Sequence, residues 1–331
     1  MVMSNLQVIC VGEALIDKII NKSDSNYRNY LGGAPANVVC ALRKLNVPAA
    51  FVGCLGDDDF GREFISLFQQ LNINIDFLQI AKQSSTRVVK VIRDESGDRS
   101  FSGFEALNRY GFADEMLDKS KLINNKKHLR EQFINSKYIV TGTNLLAFSK
   151  SAESLYFILE FAENFNIKVV IDVNWREIFW DHLNIDKDKQ LKKIKNFLNH
   201  ADILKLASEE AYLFFDTNDP SKISQVLTKQ PDVIITNGGN LINWFINGIK
   251  GANEVVKHTS EIIDTTGAGD AFLAGLISRY YLNSNLNDKS KIEENIKFAC
   301  ICGLLTCFGV GAIEQQPEEK LVYKFLEDVG S

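Results

Sequence analysis

The order of apolar segments along these 331 residues predicts an α/β fold: a mostly parallel sheet with helices on both faces, and a small second β-sheet beside it. Three observations predict it. Short runs rich in Val and Ile, several apolar on both faces, recur along the chain as buried parallel strands require. Longer segments between them return an apolar residue every three or four positions. Two stretches, 14–33 and 84–104, break the alternation with strand-like runs and polar turns.

Taken in order, the candidate strands are 7–12, 49–55, Tyr138–Thr141, Lys168–Asp172, 202–206 and Asp232–Thr236. Helical spacing links Val38, Ala41, Leu42 and Leu45, then Phe60, Phe64, Leu67, Phe68 and Leu71, then Leu155, Ile158, Leu159 and Ala162. A last long helix is expected over about 296–308. The main domain should comprise 1–13, 34–83 and 105–331, with 14–33 and 84–104 forming a small β lid. The second lid piece reads as a hairpin turning at Asp94-Glu95-Ser96-Gly97-Asp98. A small antiparallel sheet built from these pieces would cover a cleft at the carboxyl edge of the main sheet, where open α/β folds place ligands.

Hydrophobic residues make up 45% of the chain and charged ones 24%, ordinary values for a soluble globular protein. The net charge of −5 argues against nucleic acid as a partner, because a phosphate backbone asks for concentrated Lys and Arg. The one basic run, 187–195, alternates with apolar residues at helical spacing and reads as a solvated helix face. No secretory signal is visible, and no apolar stretch approaches the roughly 18 residues of a membrane span. The expectation is a cytoplasmic protein. Its six cysteines form no CxxC pair and its four histidines are scattered, so buried, reduced thiols are expected rather than a disulfide or zinc site.

Chemistry concentrates in Asp264-Thr265-Thr266-Gly267-Ala268-Gly269-Asp270, which runs straight into the apolar Ala271-Phe272-Leu273-Ala274-Gly275. A helix starting near Gly267 turns its unpaired N–H groups and the positive end of its dipole toward an arriving anion. Asp270 at that mouth can take a proton from a substrate hydroxyl while phosphoryl charge rests on the amides. Alone, the segment is also an ordinary capped turn, with Thr265 or Thr266 as the cap. Its company decides. Gly32-Gly33-Ala34-Pro35-Ala36-Asn37 stands just before the first long helix, where Asn37 offers both a donor and an acceptor to a polyhydroxylated ligand. Asp17 follows the first strand, as a turn former or as an acceptor for two vicinal hydroxyls.

GEALID at 12–17, GGAPAN at 32–37, GCLGDDDFG at 53–61 and DTTGAGDAFLAG at 264–275 occur in the order and at the separations seen in the ribokinase-like (PfkB) carbohydrate kinases. The resemblance spans about 8–315 and is nearest to the fructokinases, whose DxNxRxxxW and KxSxEE segments are similar to DVNWREIFW at 172–180 and KLASEEA at 205–211. It implies a three-layer αβα sandwich with a β lid, and ATP-dependent phosphorylation of a sugar's primary hydroxyl, with fructose as the first choice. Asp270 would be the catalytic base, and Gly267, Ala268 and Gly269 the anion hole. Asp17, Gly33, Asn37 and Arg176 would bind the sugar. Asn174, Thr236 and Gly238 would face the nucleotide, whose adenine would lie against Ala299 and Cys300. Glu210 would help position Mg²⁺, and backbone carbonyls near Asp264 and 309–312 would suit a monovalent cation such as K⁺. A homodimer through the lid is a further expectation, for which Val88, Val89, Val91 and Ile92 are apolar enough, although the same residues could face the sugar or the main domain.

Four positions depart from the family pattern: Val173 stands where Pro is frequent, Ala207 where Asn or Ser is, Leu241 replaces a frequent Gly, and Asn237 is unusual in its turn. They put the nucleotide loop in doubt and leave the base, anion hole and sugar acceptor intact. A 2-keto-3-deoxygluconate kinase is the nearest rival, its acid group met by Arg87, Arg93, Arg99, Arg109 or Arg176. A non-catalytic, kinase-like scaffold is the reading from another class. A dinucleotide oxidoreductase is excluded because Gly12 leads into Glu13-Ala14 rather than a GxGxxG turn.

Overall fold

The computed structural model describes residues 8–21, 27–93, 99–105, 109–180, 186–282 and 287–330. The hairpin turn expected at 94–98, the first seven residues of the expected main domain and His182 lie outside the described residues.

The main sheet has eight strands, in the spatial order Ile249–Asn253, Ile242–Ile246, Asp232–Thr236, Ile203–Ala207, Lys168–Asp172, Tyr138–Thr141, Val8–Val11 and Ala49–Val52. All neighbours pair in parallel from Ala49–Val52 across to Asp232–Thr236, and the last two strands add antiparallel. Alternation along the first strand shows how the sheet divides the interior. Val8 and Cys10 enter one apolar layer, Ile9 and Val11 the other, because successive side chains leave opposite faces. Each layer is closed by helices. Ala34–Lys44, Ala268–Leu282 and Lys289–Thr306 supply one side, and Ser149–Asn164 with Lys187–Phe197 the other.

The expected strand 49–55 is divided in two. Ala49–Val52 joins the main sheet, whereas Cys54–Gly56 turns away to pair with Gln79–Ala81. The edge hairpin Ile242–Ile246 and Ile249–Asn253 was not expected, and it closes through Asn247 and Gly248, both at positive φ. All six cysteines are buried and free. Among the described residues no helix is long and apolar enough to cross a membrane.

A second sheet of four strands runs Tyr27–Gly32, Leu15–Asn21, Val88–Arg93, Arg99–Phe104. It is mixed rather than antiparallel. Each outer pair is antiparallel, but Leu15–Asn21 and Val88–Arg93 meet in parallel, because the chain between them travels through the main domain and returns in the same direction. Val88, Val89 and Val91 are buried within the single chain and Ile92 is half-buried, so most of the apolar surface expected at a dimer face is already used.

Candidate active site

Val8–Val11 lies between Ala49–Val52, the next strand of the sheet in sequence, and Tyr138–Thr141, from which the sheet grows the other way. At such a reversal the loops leaving the carboxyl ends part and leave a crevice. Here the crevice is a cleft of about 370 Å³, floored by the strand ends, with the four-stranded sheet on one side and the start of the Ala268–Leu282 helix on the other.

Two strand ends meet across the reversal point through Asn144, whose Nδ2 donates to Glu13 Oε1 at 2.9 Å. Burial pushes the Glu13 carboxyl up to about 7, against the pull of that hydrogen bond. One strand further, Lys205 Nζ donates to Asp172 Oδ2 at 2.7 Å with both side chains buried. Burial opposes the ammonium, but the negative charge of Asp172, with Asp270 and Glu210 behind it, holds its pKa above the ordinary lysine value.

Above this floor the chain turns through Gly267, at φ 78°, into the helix. The Ala268 N–H donates to the Thr265 carbonyl at 3.2 Å and the Ala271 N–H to the Gly267 carbonyl at 2.8 Å, so the amides of Gly269 and Asp270 between them precede the helical ladder. Gly269 faces Lys205 closely enough that a Cβ there would stand 3.3 Å from Nζ. The Asp270 carboxylate accepts from Asn37 Nδ2 at 2.8 Å. Its side chain opens into the cleft and is otherwise walled by protein. Burial, then the nearby Asp172 carboxylate, pushes Asp270 up to about 6, against the opposing pull of Asn37, Lys205 and Arg176.

Glu210 is used locally as well. Its Oε2 accepts from the Ala207 N–H at 2.7 Å and its Oε1 from the Trp175 N–H at 2.6 Å, which fastens the start of the Ser208–Phe215 helix to the segment after Asp172. Ala207 cannot return a side-chain cap, so this is half of a reciprocal capping box. Burial, then Asp172, raises the Glu210 pKa.

The cleft brings together Asp17, Gly33, Asn37, Asn174, Arg176, Glu210, Thr236, Gly267, Gly269 and Asp270. On the lid side Asp17 shares the cleft wall with Leu15, Val89 and Val91. Ala268 lies inside the helical turn between two lining glycines. Gly238 is not brought in: it stands exposed in the turn after Thr236, at φ 52°, with open space around its Cα. Ala299 and Cys300 are not among the residues lining the cleft. Both are buried in the main core, and the Ala299 Cα would lie 3.0 Å from a Cβ on Gly275, so small residues here serve close helix packing.

Among the arginines, Arg176 lines the cleft and Arg87 does not. Arg87 is fully buried, donating to Asp114 and Glu115 at 2.9 Å each, with its guanidinium carbon 4.2 to 5.0 Å from the ring centres of Phe104, Phe112, Phe148 and Phe179. Arg109 lies beside Tyr110, and the side chains of Arg93 and Arg99 lie outside the described residues. Glu13, Asn144, Asp172 and Lys205 were not singled out from sequence. A signal existed: Lys205 is a lone charge in the apolar run 203–206, and Asp172 closes another, which buried strands rarely carry without a partner.

The model of the pfkB family of carbohydrate kinases matches residues 5–319. The chain belongs to that family. Among its pfkB relatives, the fructokinase-1 of Oryza sativa subsp. japonica is 29% identical over 333 residues, 97% of each chain. The probable fructokinase-5 of Arabidopsis thaliana is 28% identical over 321 residues, 94% of each. The fold matches that of a fructokinase from Xylella fastidiosa with bound ATP, at TM-score 0.85 and 23% identity over 99% of this chain and 100% of that one. A Vibrio cholerae fructokinase with fructose, ADP and potassium ion matches at TM-score 0.80 and 24% identity, over 98% and 99%.

Proposed function

We propose that this pfkB-family protein is an ATP-dependent fructokinase that makes fructose 6-phosphate. The observation that carries the reading is Asp270: a carboxylate held by Asn37 at 2.8 Å, next to the unladdered amides of a helix start and open to the cleft. In this reading Asp17 and Asn37 hold the sugar hydroxyls, and Asp270 takes the proton of the primary hydroxyl. The freed oxygen attacks the γ-phosphorus, the bond to ADP breaks, and charge on the transferred group meets the amides of Gly267 and Gly269, that of Ala268 once it gives up its 3.2 Å bond to Thr265, and the Lys205 ammonium. A raised Asp270 pKa suits a base working near neutral pH.

Asn174, Thr236 and the turn containing Gly238 are proposed to face the nucleotide. Fructokinases with bound ATP or ADP among the similar structures support a nucleotide here, and the potassium-bound one supports use of a monovalent cation, for which the carbonyls near Asp264 are the proposed place. Among the described residues no three acidic, His or Cys side chains gather as a metal cage. Glu210 already accepts two backbone N–H groups, which fits a Mg²⁺ that keeps its waters and is held mainly by phosphates. Such an ion supplies charge neutralisation on the phosphates. Six buried, unpaired thiols suit a cytoplasmic setting. A homodimer through the lid would use its outer face, where Tyr27 is exposed beneath Lys18.

One observation favours a second reading. Arg176 lines the cleft, where a guanidinium could meet the carboxylate of 2-keto-3-deoxygluconate. A panel of fructose, 2-keto-3-deoxygluconate, ribose and nucleosides, assayed with ATP and Mg²⁺, separates the readings. Fructose should give the highest kcat/KM. Undetectable turnover of fructose beside rapid turnover of the keto acid would overturn the choice, and sugar binding without any turnover would leave the scaffold.

A further inference from the structure

The Ala34–Lys44 helix joins the site to a loop outside the cleft lining. At its start Asn37 holds Asp270, and at its last residue Lys44 reaches a loop remote in sequence. The Lys44 ammonium donates to the carbonyls of Ile313 at 2.5 Å and Gln316 at 3.2 Å, and comes within 3.5 Å of the Glu314 carbonyl. Burial lowers its pKa, as expected for a cation held by main-chain oxygens in place of water. Converging carbonyls around one positive centre form a cation cage, here filled by a tethered ion.

That loop is also where the phosphate side of the cleft is fixed. The Gly311 N–H donates to Asp264 Oδ2 at 3.0 Å, and the other oxygen of Asp264 accepts from the Thr266 N–H at 2.9 Å. Ala312 packs on Gly267 so closely that a Cβ on the glycine would lie 2.6 Å from the Ala312 Cβ. Gln316 Nε2 donates to the Asn37 carbonyl at 2.8 Å, which returns the chain of contacts to the residue holding the base. The anion-hole turn and the support of Asp270 thus share one loop.

We propose that Lys44 is a positioning residue for phosphoryl transfer: its ammonium gathers the 313–316 carbonyls and thereby sets the anion-hole turn against Asp270. The proposal rests on the kinase reading above and deepens it. Lys44 touches neither sugar nor phosphate. It acts through Gly311, Ala312 and Gln316.

The test compares Lys44→Ala and Lys44→Arg with the unaltered enzyme. Displacing the turn by about an ångström should lower kcat of Lys44→Ala by about 10- to 100-fold, with the fructose KM changed less than about threefold. Lys44→Arg, which keeps a donating cation, should retain most of the activity. With potassium chloride in excess throughout, methylammonium chloride should restore part of the lost kcat in Lys44→Ala and none in the unaltered enzyme, while sodium chloride at equal ionic strength should restore neither. A second readout needs no turnover: with potassium chloride kept in excess to fill the cation site proposed near Asp264, methylammonium should raise the melting temperature of Lys44→Ala above its sodium control and leave the unaltered chain unmoved. Unchanged kcat in Lys44→Ala, or a loss that no small cation restores in either kcat or melting temperature, overturns the proposal. Absence of sugar turnover in the unaltered enzyme refutes the kinase reading instead, and the melting shift still decides whether Lys44 is a caged cation.

Discussion

At the floor of the cleft Asp270, Asp172, Lys205, Glu13 and Glu210 each meet a protein partner within 2.9 Å, whereas beyond Thr236 the rim stands largely in open space. Nothing lies within 4 Å of a side chain begun at Gly238, and Leu241, Ile262 and Ile263 are exposed. The floor is organised before any ligand arrives, so reorganisation during the chemical step is small. The rim, proposed for the nucleotide, gains its contacts only with the ligand. Changes on the floor should therefore appear in kcat, and changes on the rim in the KM for ATP.

The largest effects should come where the helix begins. Gly267→Ala combines a left-handed φ of 78° with a contact 2.6 Å from the Ala312 Cβ, so the turn must move. Its kcat should fall by at least about 10²-fold in steady-state assays. Asp270→Asn keeps an acceptor for Asn37 but removes the proposed base, and should cost about 10² to 10⁴-fold in kcat while fructose binding stays measurable by calorimetry. If either variant kept a third of its activity, the view of a preorganised floor would fail.

A smaller effect follows from the raised carboxyls. As the proposed base Asp270 would work deprotonated, so kcat/KM should climb with pH through about 6 and level off above it. Stability should move the other way. Glu13 and Asp270, pushed up to about 7 and about 6, bind protons more tightly folded than unfolded. Their contribution is full below their ordinary carboxylate values and is lost as pH rises through 6 and 7. Melting temperatures at pH 5 and pH 8 should differ less for Glu13→Gln, which keeps the bond to Asn144 without a charge. An unchanged difference would mean that Glu13 is not the buried acid described here.

Much of this contrast was legible in sequence, for a physical reason. Parallel strands buried on both faces must be apolar throughout, and a phosphate-facing helix start must carry glycine, so 138–141, 168–172 and 264–270 announced themselves. Pairing was less visible. The parallel join of Leu15–Asn21 to Val88–Arg93 depends on a path of some seventy residues that no local pattern encodes. The edge hairpin had a signal in Asn247-Gly248, flanked by alternating burial, that went unread. Ala299 and Cys300 are ambiguous in sequence because a small helical residue suits close helix packing as well as a flat ring. Lys205 and Asp172 were hidden because a buried pair is complete only when two strands lie side by side.

The smallest effect sharpens the comparison most, because it repeats the first substitution at the rim. Gly238, like Gly267, has positive φ, 52° against 78°, so alanine meets a similar backbone penalty of about 1 to 2 kcal/mol at either site. The surroundings differ. A Cβ on Gly238 enters open space, whereas one on Gly267 strikes Ala312. Gly238→Ala should leave kcat within about twofold and raise the KM for ATP by less than about thirtyfold, the ceiling that the backbone penalty itself sets. Equal losses of kcat at the two glycines would show that backbone conformation alone governs them. A large loss confined to Gly267 would place the difference in the packed loop that carries Gly311 and Ala312.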